Sequence, residues 1–200
     1  MAVVYVAGGC LWGVEAFFAT IPGIIHTEAG RANGRSSKLD GPYDGYAECV
    51  KLHFDDRMLT ITEPGIIHTE AGRANGRSSK LDGPYDGYAE CVKLHFDDRM
   101  LTITDIMNYL FEIIDPYSVN QQGNDIGQKY RTGLYSCVDD HLIEARQFIE
   151  RRKDRDQIAV EVLPLSNYIK SAEEHQQHLE KYPEDMHMCH ISKDLLNKYK

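Results

Sequence analysis

The feature that most constrains the fold of this chain is a long internal duplication. Residues 22–62 recur without a single change as residues 64–104, a period of 42 in a chain of 200 residues. Solenoid folds need at least about three diverged units, each of which buries a face against the next. Two identical copies in an otherwise non-repeating chain therefore indicate a tandem duplication inside one domain of residues 1–200, and not a repeat array.

The fold can accommodate the surplus copy in more than one way. Each copy contains a polar loop, GRSSKLDGPYDG. Insertions are best tolerated in such loops, because the entropy of closing a loop grows slowly with its length. Splitting both copies at this loop competes with looping out the whole of either copy, and the sequence leaves both arrangements open.

Strand and helix patterns alternate along the chain, with hairpin-like neighbours among them. This order favours an α+β fold: a two-layer sandwich with a mixed β-sheet, a ferredoxin-like core and a surplus duplicated strand pair. Strands are predicted at 2–7, 23–28, 46–54, 65–70, 88–96, 130–138 and 158–164, and helices at 11–20, 105–114, 139–152 and 175–182. Asp105 is predicted to cap the second helix, and the tail from Pro183 has no clear period.

Composition and charge exclude several classes of protein. The net charge of −9, without a block of Lys or Arg, argues against a nucleic-acid surface. No apolar run is long enough to cross a membrane or resembles a secretory signal. Five scattered cysteines, an odd number, do not form a secreted disulfide framework. We therefore expect a soluble cytoplasmic protein whose cysteines are mostly reduced.

Cys10 stands where a buried strand passes into a helix. The N-terminus of a helix presents unpaired N–H groups and a positive partial charge, which make a thiol easier to ionise. Gly8 and Gly9 allow unusual backbone angles and close approach of a substrate. Trp12, the only tryptophan, could form an apolar wall beside the sulfur. These features together predict that Cys10 is a reactive nucleophile.

Five ordered blocks of sequence resemble the methionine sulfoxide reductase A family. That family has a Gly-Cys-Phe-Trp-Gly run before a helix and a Pro-Gly turn. The blocks are GGCLWGVEAFFATIPGI, TEAGRANG, GYAECV, QGNDIGQKYRTGLY and EEHQQHLEKYP. Once one copy is discounted, the resemblance spans nearly the whole chain.

The resemblance implies a thiol-dependent reduction of methionine S-sulfoxide, free or in proteins. In the family a cysteine attacks the sulfoxide sulfur and becomes a sulfenic acid, a second cysteine condenses with it, and thioredoxin reduces the disulfide. No bound cofactor is implied. Cys10 matches the attacking cysteine, and the family's acid is matched twice, by Glu48 and Glu90. The sequence leaves open which of the two glutamates acts.

Further residues carry over from the family's motifs. Asp125 and Tyr130 match residues that position the substrate and donate to its oxygen, and Trp12 matches the wall of the methyl pocket. Leu11 stands where phenylalanine is usual in that pocket. The chain also departs from the family at Arg31 and its duplicate Arg73, where a tyrosine is usual, so that one expected phenolic donor is missing and a lower turnover is predicted.

The other cysteines are assigned by their surroundings. Cys189 lies in an irregular polar tail, where an accessible thiol could reach a sulfenic acid, and many members of the family place their resolving cysteine there. Cys49, Cys91 and Cys137 are predicted to be core thiols. A zinc site built from the tail histidines and Cys189 is disfavoured, because the segment lacks a Cys-x-x-Cys pair.

Two other functional classes remain open from the residues alone. A thiol peroxidase or cysteine hydrolase would also use Cys10, although a hydrolase needs a histidine beside it, and only the duplicated His26 and His68 suggest themselves. Alternatively, the surplus strands could expose sheet edges, which would give a self-associating protein of low activity.

Overall fold

The structure is a computed structural model that describes residues 2–35, 49–52, 68–78, 87, 89–96 and 98–199. The strands are β1 (Ala2–Ala7), β2 (Ile24–Arg35), β3 (Cys49–Leu52), β4 (His68–Ser78), β5 (Ala89–Phe96), β6 (Gln121–Gln122), β7 (Asp125–Ile126), β8 (Gly133–Ser136), β9 (Glu161–Pro164) and β10 (Tyr168–Lys170). The helices are α1 (Leu11–Phe18), α2 (Ile103–Ile113), α3 (Asp139–Glu150), α4 (His178–Lys181) and α5 (Lys193–Leu196), with 3-10 turns at Gln128–Tyr130, Arg155–Gln157, Glu173–His175 and Pro183–Met188. No helix in the described part of the chain has the length and apolar character to cross a bilayer.

Most strands join one sheet, in the order β10-β4-β3-β2-β5-β1-β8-β9. β1 pairs antiparallel with β5 on one side and with β8 on the other, whereas β8 and β9 run parallel. β6 and β7 form a separate small hairpin. The sheet is therefore mixed, and with its helices it gives the α+β class that the sequence predicts.

β1 is buried on both faces of the sheet. Val4 and Val6 pack into the main core with residues of α1, α2 and α3, whereas Tyr5 and Ala7 join a smaller cluster with Tyr135 of β8. Successive side chains of a strand point to opposite faces, so β1 needs apolar residues at nearly every position. This burial fixes the end of β1, and with it the turn that carries Cys10.

Equivalent residues of the two copies occupy equivalent places in the sheet. In β10, Tyr168 pairs with both Ala32 and Ala74, and Ile169 pairs with both Arg31 and Arg73. Both pairings are antiparallel and use the corresponding residue of each copy. β2 of the first copy also pairs antiparallel with β5 of the second, which connects the two copies within the sheet.

The start of α2 corrects one prediction. The helix begins at Ile103, and Thr102, not Asp105, is its N-cap. Asp105 is the third residue of the helix and completes a capping box: its carboxylate accepts from Thr102 N–H at 2.8 Å, and Thr102 Oγ1 accepts from Asp105 N–H at 3.1 Å. The Thr-x-x-Asp spacing is the signal of this cap.

Replacing Thr102 tests the capping box. We expect Thr102→Ala to lower the free energy of unfolding by about 1 kcal/mol, because it leaves orphan N–H groups at the start of α2 without an acceptor. Urea unfolding followed by circular dichroism would measure the change. Thr102→Ser is the matched control, since it keeps the hydroxyl and should remain close to the parent. Equal stability of the alanine and serine variants would contradict this account of the cap.

Candidate functional site

Cys10 lies at the junction between β1 and α1, as the sequence predicts. It is the N-cap residue of α1, with extended backbone angles of φ −62° and ψ 118°, and its carbonyl accepts from Val14 N–H at 3.4 Å. The sulfur therefore projects from the positive end of a helix, where a thiolate is favoured. Cys10 is buried, with 8% of its surface exposed.

Two glycines around Cys10 let the C-terminal tail approach the helix. Gly9 has φ +87°, and a Cβ there would overlap Gln122 and lie 3.0 Å from His190 Cε1. A Cβ on Gly13 would overlap the sulfur of Cys189. Only glycine avoids both the backbone strain at position 9 and the overlap at these two positions.

The thiols of Cys10 and Cys189 form a hydrogen-bonded pair. The hydrogen bond with Cys10 lowers the pKa of Cys189 below its usual value, and the N–H of Ile191, 3.4 Å from Cys189 Sγ, acts in the same direction. Burial and the charge of Asp125 oppose this shift. This hydrogen bond favours an anion on Cys189 that accepts from the Cys10 thiol, and transfer of that proton between the two sulfurs would give the Cys10 thiolate.

Asp125 and His190 lie on the same side of the thiol pair. Asp125 acts electrostatically on Cys189, and its Oδ2 is 4.0 Å from His190 Nδ1. Burial lowers the pKa of His190, whose Nε2 contacts the carbonyl of Ile113 at 3.2 Å. A neutral imidazole that donates from Nε2 satisfies this carbonyl and leaves Nδ1 without a proton. His190 thus anchors the tail and was not predicted in this place.

Glu90 is fully buried in β5 and forms an ion pair with Lys129. Lys129 Nζ lies 2.6 Å from Glu90 Oε1, and it also lies 4.3 Å from the centre of the Tyr130 ring. A buried carboxylate requires such a partner. The pairing of β1 with β5 ends at Val6 and Val92, so Glu90 lies two residues beyond the last pair, towards the turn of Cys10. Glu48, the duplicate, lies outside the described residues.

Arg31, where the family usually has tyrosine, is the cross-strand partner of Glu90 in the pairing of β2 with β5. This places the departure from the family motif directly opposite the matched acid in the register. Arg73 holds the equivalent place in β4 and pairs with Ile169.

The side chain of Trp12, on α1, packs against the segment that contains α4. Its indole stacks on His178, with ring centres 3.6 Å apart and planes inclined by 10°, and its Nε1 donates to His175 Nδ1 at 3.4 Å. Trp12 and His178 contribute to a cavity of about 70 Å³ that also includes Ala16 and Ala19. Leu11, the other residue matched to the pocket, is fully buried in the main core.

Of the remaining cysteines, Cys91 is fully buried, as predicted, and the side chain of Cys49 lies outside the described part of the structure. The prediction for Cys137 is wrong: it is exposed, because β8 ends at Ser136 and α3 begins at Asp139. Within the described ranges, no group of three His, Cys, Asp or Glu side chains is arranged to hold a metal ion.

Comparisons with known proteins point to one family. The sequence profile described as peptide methionine sulfoxide reductase matches residues 2–63 and 60–200. Peptide methionine sulfoxide reductase MsrA of Clostridium acetobutylicum is 31% identical over 212 residues, and the match covers 100% of both chains.

Solved structures share the fold. Mxr1 from Saccharomyces cerevisiae in reduced form has a TM-score of 0.66 and 25% identity, covering 91% of this chain and 86% of that one. Methionine sulfoxide reductase A of Corynebacterium diphtheriae has a TM-score of 0.61 and 22% identity, covering 90% and 74%. Mxr1 in complex with Trx2 has a TM-score of 0.50 and 17% identity, covering 86% and 81%.

The matches to the profile extend over both ends of the chain and meet within the duplicated segment. The full-length identity to the clostridial enzyme agrees with them. This chain belongs to the peptide methionine sulfoxide reductase family.

Proposed function

We propose that this protein reduces methionine S-sulfoxide, free or in proteins, to methionine, with Cys10 as the nucleophile. The observation that carries the proposal is the hydrogen-bonded pair of Cys10 and Cys189 at the N-terminus of α1. In the first step the Cys10 thiolate attacks the sulfoxide sulfur. The oxygen, with one proton, passes to Cys10 as a sulfenic acid, and the methionine thioether leaves in its reduced form.

In the second step Cys189 acts as the resolving cysteine. Its thiol condenses with the sulfenic acid on Cys10, which forms a disulfide and releases one water molecule. The contact between the two sulfurs supports this role without a large movement of the tail. A dithiol must then reduce the disulfide, and thioredoxin is the expected reductant. The solved complex of Mxr1 with Trx2 supports this choice of partner by analogy.

The sulfoxide oxygen must gain a proton as its sulfur is attacked, and we assign this task to Glu90, the copy beside β1. An ammonium at hydrogen-bond distance favours the carboxylate form. The Glu90–Lys129 pair, not an isolated carboxylic acid, is therefore the proposed source of the proton. Tyr130 and Asp125 are the proposed hydrogen-bonding residues around the substrate. Arg31 stands where the family usually has a tyrosine, so one phenolic hydrogen-bond donor of the family is missing.

Trp12 is the proposed wall of the pocket for the substrate methyl group, together with Leu11. The cavity beside Trp12 on α1 supports the assignment of Trp12. The full burial of Leu11 favours a supporting role behind the pocket wall over direct contact.

The finer architecture also remains a proposal. We infer one domain of residues 1–200 with a two-layer arrangement, a ferredoxin-like core and a surplus strand pair from the duplication within 22–104. The odd, scattered cysteines support a cytoplasmic location.

Replacement of Cys10 is the primary test. We expect Cys10→Ser to reduce dabsyl-methionine sulfoxide only at the background rate, because serine cannot form a sulfenic acid. Cys137→Ser is the matched control and should remain active, since this thiol is exposed at the end of β8. Reductase activity of the Cys10 variant would refute the mechanism. Turnover of peroxide or ester by the parent, without sulfoxide reduction, would instead identify a thiol peroxidase or a hydrolase.

The two copies of the acid can be separated by single substitutions. We expect Glu90→Gln to lower the rate of sulfoxide reduction by about 10²- to 10⁴-fold, the usual contribution of a proton donor. Glu48→Gln should retain the parent rate, so each variant is the control for the other. Single-turnover assays with equal amounts of folded protein would measure both rates. An inactive Glu48 variant beside an active Glu90 variant would reverse the assignment.

The contact between Gly13 and Cys189 predicts an effect on recycling alone. Gly13→Ala should keep α1 intact but displace the tail thiol, so that one methionine is still formed per enzyme molecule. Turnover with thioredoxin should fall on the order of 10- to 100-fold, because the second sulfur is misplaced. Cys189→Ser should show the same single turnover and no recycling. A loss of the first turnover in the Gly13 variant would contradict this separation of steps.

A further inference from the structure

The imidazole of His178 lies flat against the only tryptophan of the chain. The ring centres of Trp12 and His178 are 3.6 Å apart, and the planes are inclined by 10°. His178 is buried, and a hydrogen bond from the backbone N–H of Gln177 to Glu15 Oε2, at 2.9 Å, fixes its segment on α1. Trp12 and Glu15 are three residues apart and lie on the same face of α1. The ring contact with Trp12 and the hydrogen bond to Glu15 therefore both hold the segment of His178 against α1.

Both ring nitrogens of His178 face oxygen acceptors. Nδ1 lies 2.8 Å from the carbonyl oxygen of Glu174, and Nε2 lies 2.7 Å from Asp185 Oδ2. A carbonyl and a carboxylate can only accept, so both nitrogens must carry a proton. An imidazole with two N–H groups is an imidazolium. The hydrogen bonds therefore identify His178 as a cation.

The second histidine on Trp12 has the opposite character. The indole N–H donates to His175 Nδ1 at 3.4 Å, so this nitrogen accepts and carries no proton. The charge next to the indole therefore belongs to His178. The charged and titratable groups around it are Asp185, His175, Tyr182, Glu15 and Glu180.

We infer that His178 is a positioning residue for the proposed substrate site: as an imidazolium, it holds Trp12 in place through a cation–π contact. This inference rests on the proposed function, in which Trp12 forms the wall for the substrate methyl group. Replacement of the imidazolium by an uncharged ring removes both the cation and the two donors, so the affinity for methionine sulfoxide falls. The expected effect is about three- to tenfold in Kd, the range of a partly buried cation–π contact.

Fluorescence of Trp12 tests the charge on His178 without any substrate. A protonated imidazole quenches indole emission. We therefore expect His178→Phe, which keeps a stacked ring without charge, to emit more strongly than the parent at the same pH. His187→Phe is the matched control and should emit like the parent, because His187 is exposed and bonds to the carbonyl of Glu184. Parent-like emission from the His178 variant would overturn the inference.

Substrate binding tests the positioning role. Calorimetric titration of N-acetyl-methionine sulfoxide into Cys10→Ser avoids turnover and ionisation of the attacking thiol. At a single pH, Kd should be about three- to tenfold higher in Cys10→Ser/His178→Phe than in Cys10→Ser. Cys10→Ser/His178→Arg, which restores a planar cation at this position, should recover most of the affinity. Equal Kd values in Cys10→Ser and the phenylalanine variant, or an equal loss of affinity in the arginine variant, would overturn the positioning role.

The two measurements separate the inference from the proposed function. If the emission rises when His178 is replaced but the sulfoxide does not bind to Cys10→Ser, the proposed function and the positioning role fail together, while the cationic stack stands. If the sulfoxide binds but neither emission nor Kd depends on His178, the proposed function stands and the inference fails.

Discussion

The start of α1 is held from two sides, and the rest of the site depends on this arrangement. On one side the buried strand β1 precedes the helix, and the positive φ of Gly9 turns the chain into it. On the other side the tail places Cys189 against Gly13 and His190 against Gly9. Any side chain at these glycines would separate the tail from the helix. Proximity of the two sulfurs is therefore a consequence of backbone packing, which the surrounding core makes rigid.

Several titratable groups in this region lie close to a partner, although the whole chain is strongly acidic. Glu90 is paired with Lys129, and His178 with Asp185, while the thiol pair shares its hydrogen bond beside Asp125. Burial of an unpaired charge would be strongly unfavourable, so the Lys129 ammonium stabilises the buried carboxylate of Glu90. The ion pair and the hydrogen-bonded thiols thus each have their own compensating partner.

Sequence patterns were sufficient for the elements that are defined by local chemistry. The apolar run of β1 and the Gly-Gly-Cys turn give the correct bounds for the strand and the correct place for Cys10. The tail was less predictable: its 3-10 turn at Pro183–Met188 and helix α5 are too short to show a period and are held by contacts with distant residues. Likewise Lys129 and Glu90, 39 residues apart, meet only because the sheet brings β5 beside the turn of Gln128–Tyr130. Contacts of this kind depend on topology, which no local pattern contains.

Connectivity breaks the symmetry that the duplication creates. The first copy follows α1 after a short turn at Gly23, so β2 is the strand that follows that helix along the chain. The second copy leads into α2 through β5. β5 has β1 on one edge and β2 on the other. The second strand of the second copy therefore lies between β1 and the first strand of the first copy. Among the residues that the structure describes, Glu90 is adjacent in sequence to residues that pair with β1, so chain connections, and not the sequence of the copy itself, can distinguish it from Glu48.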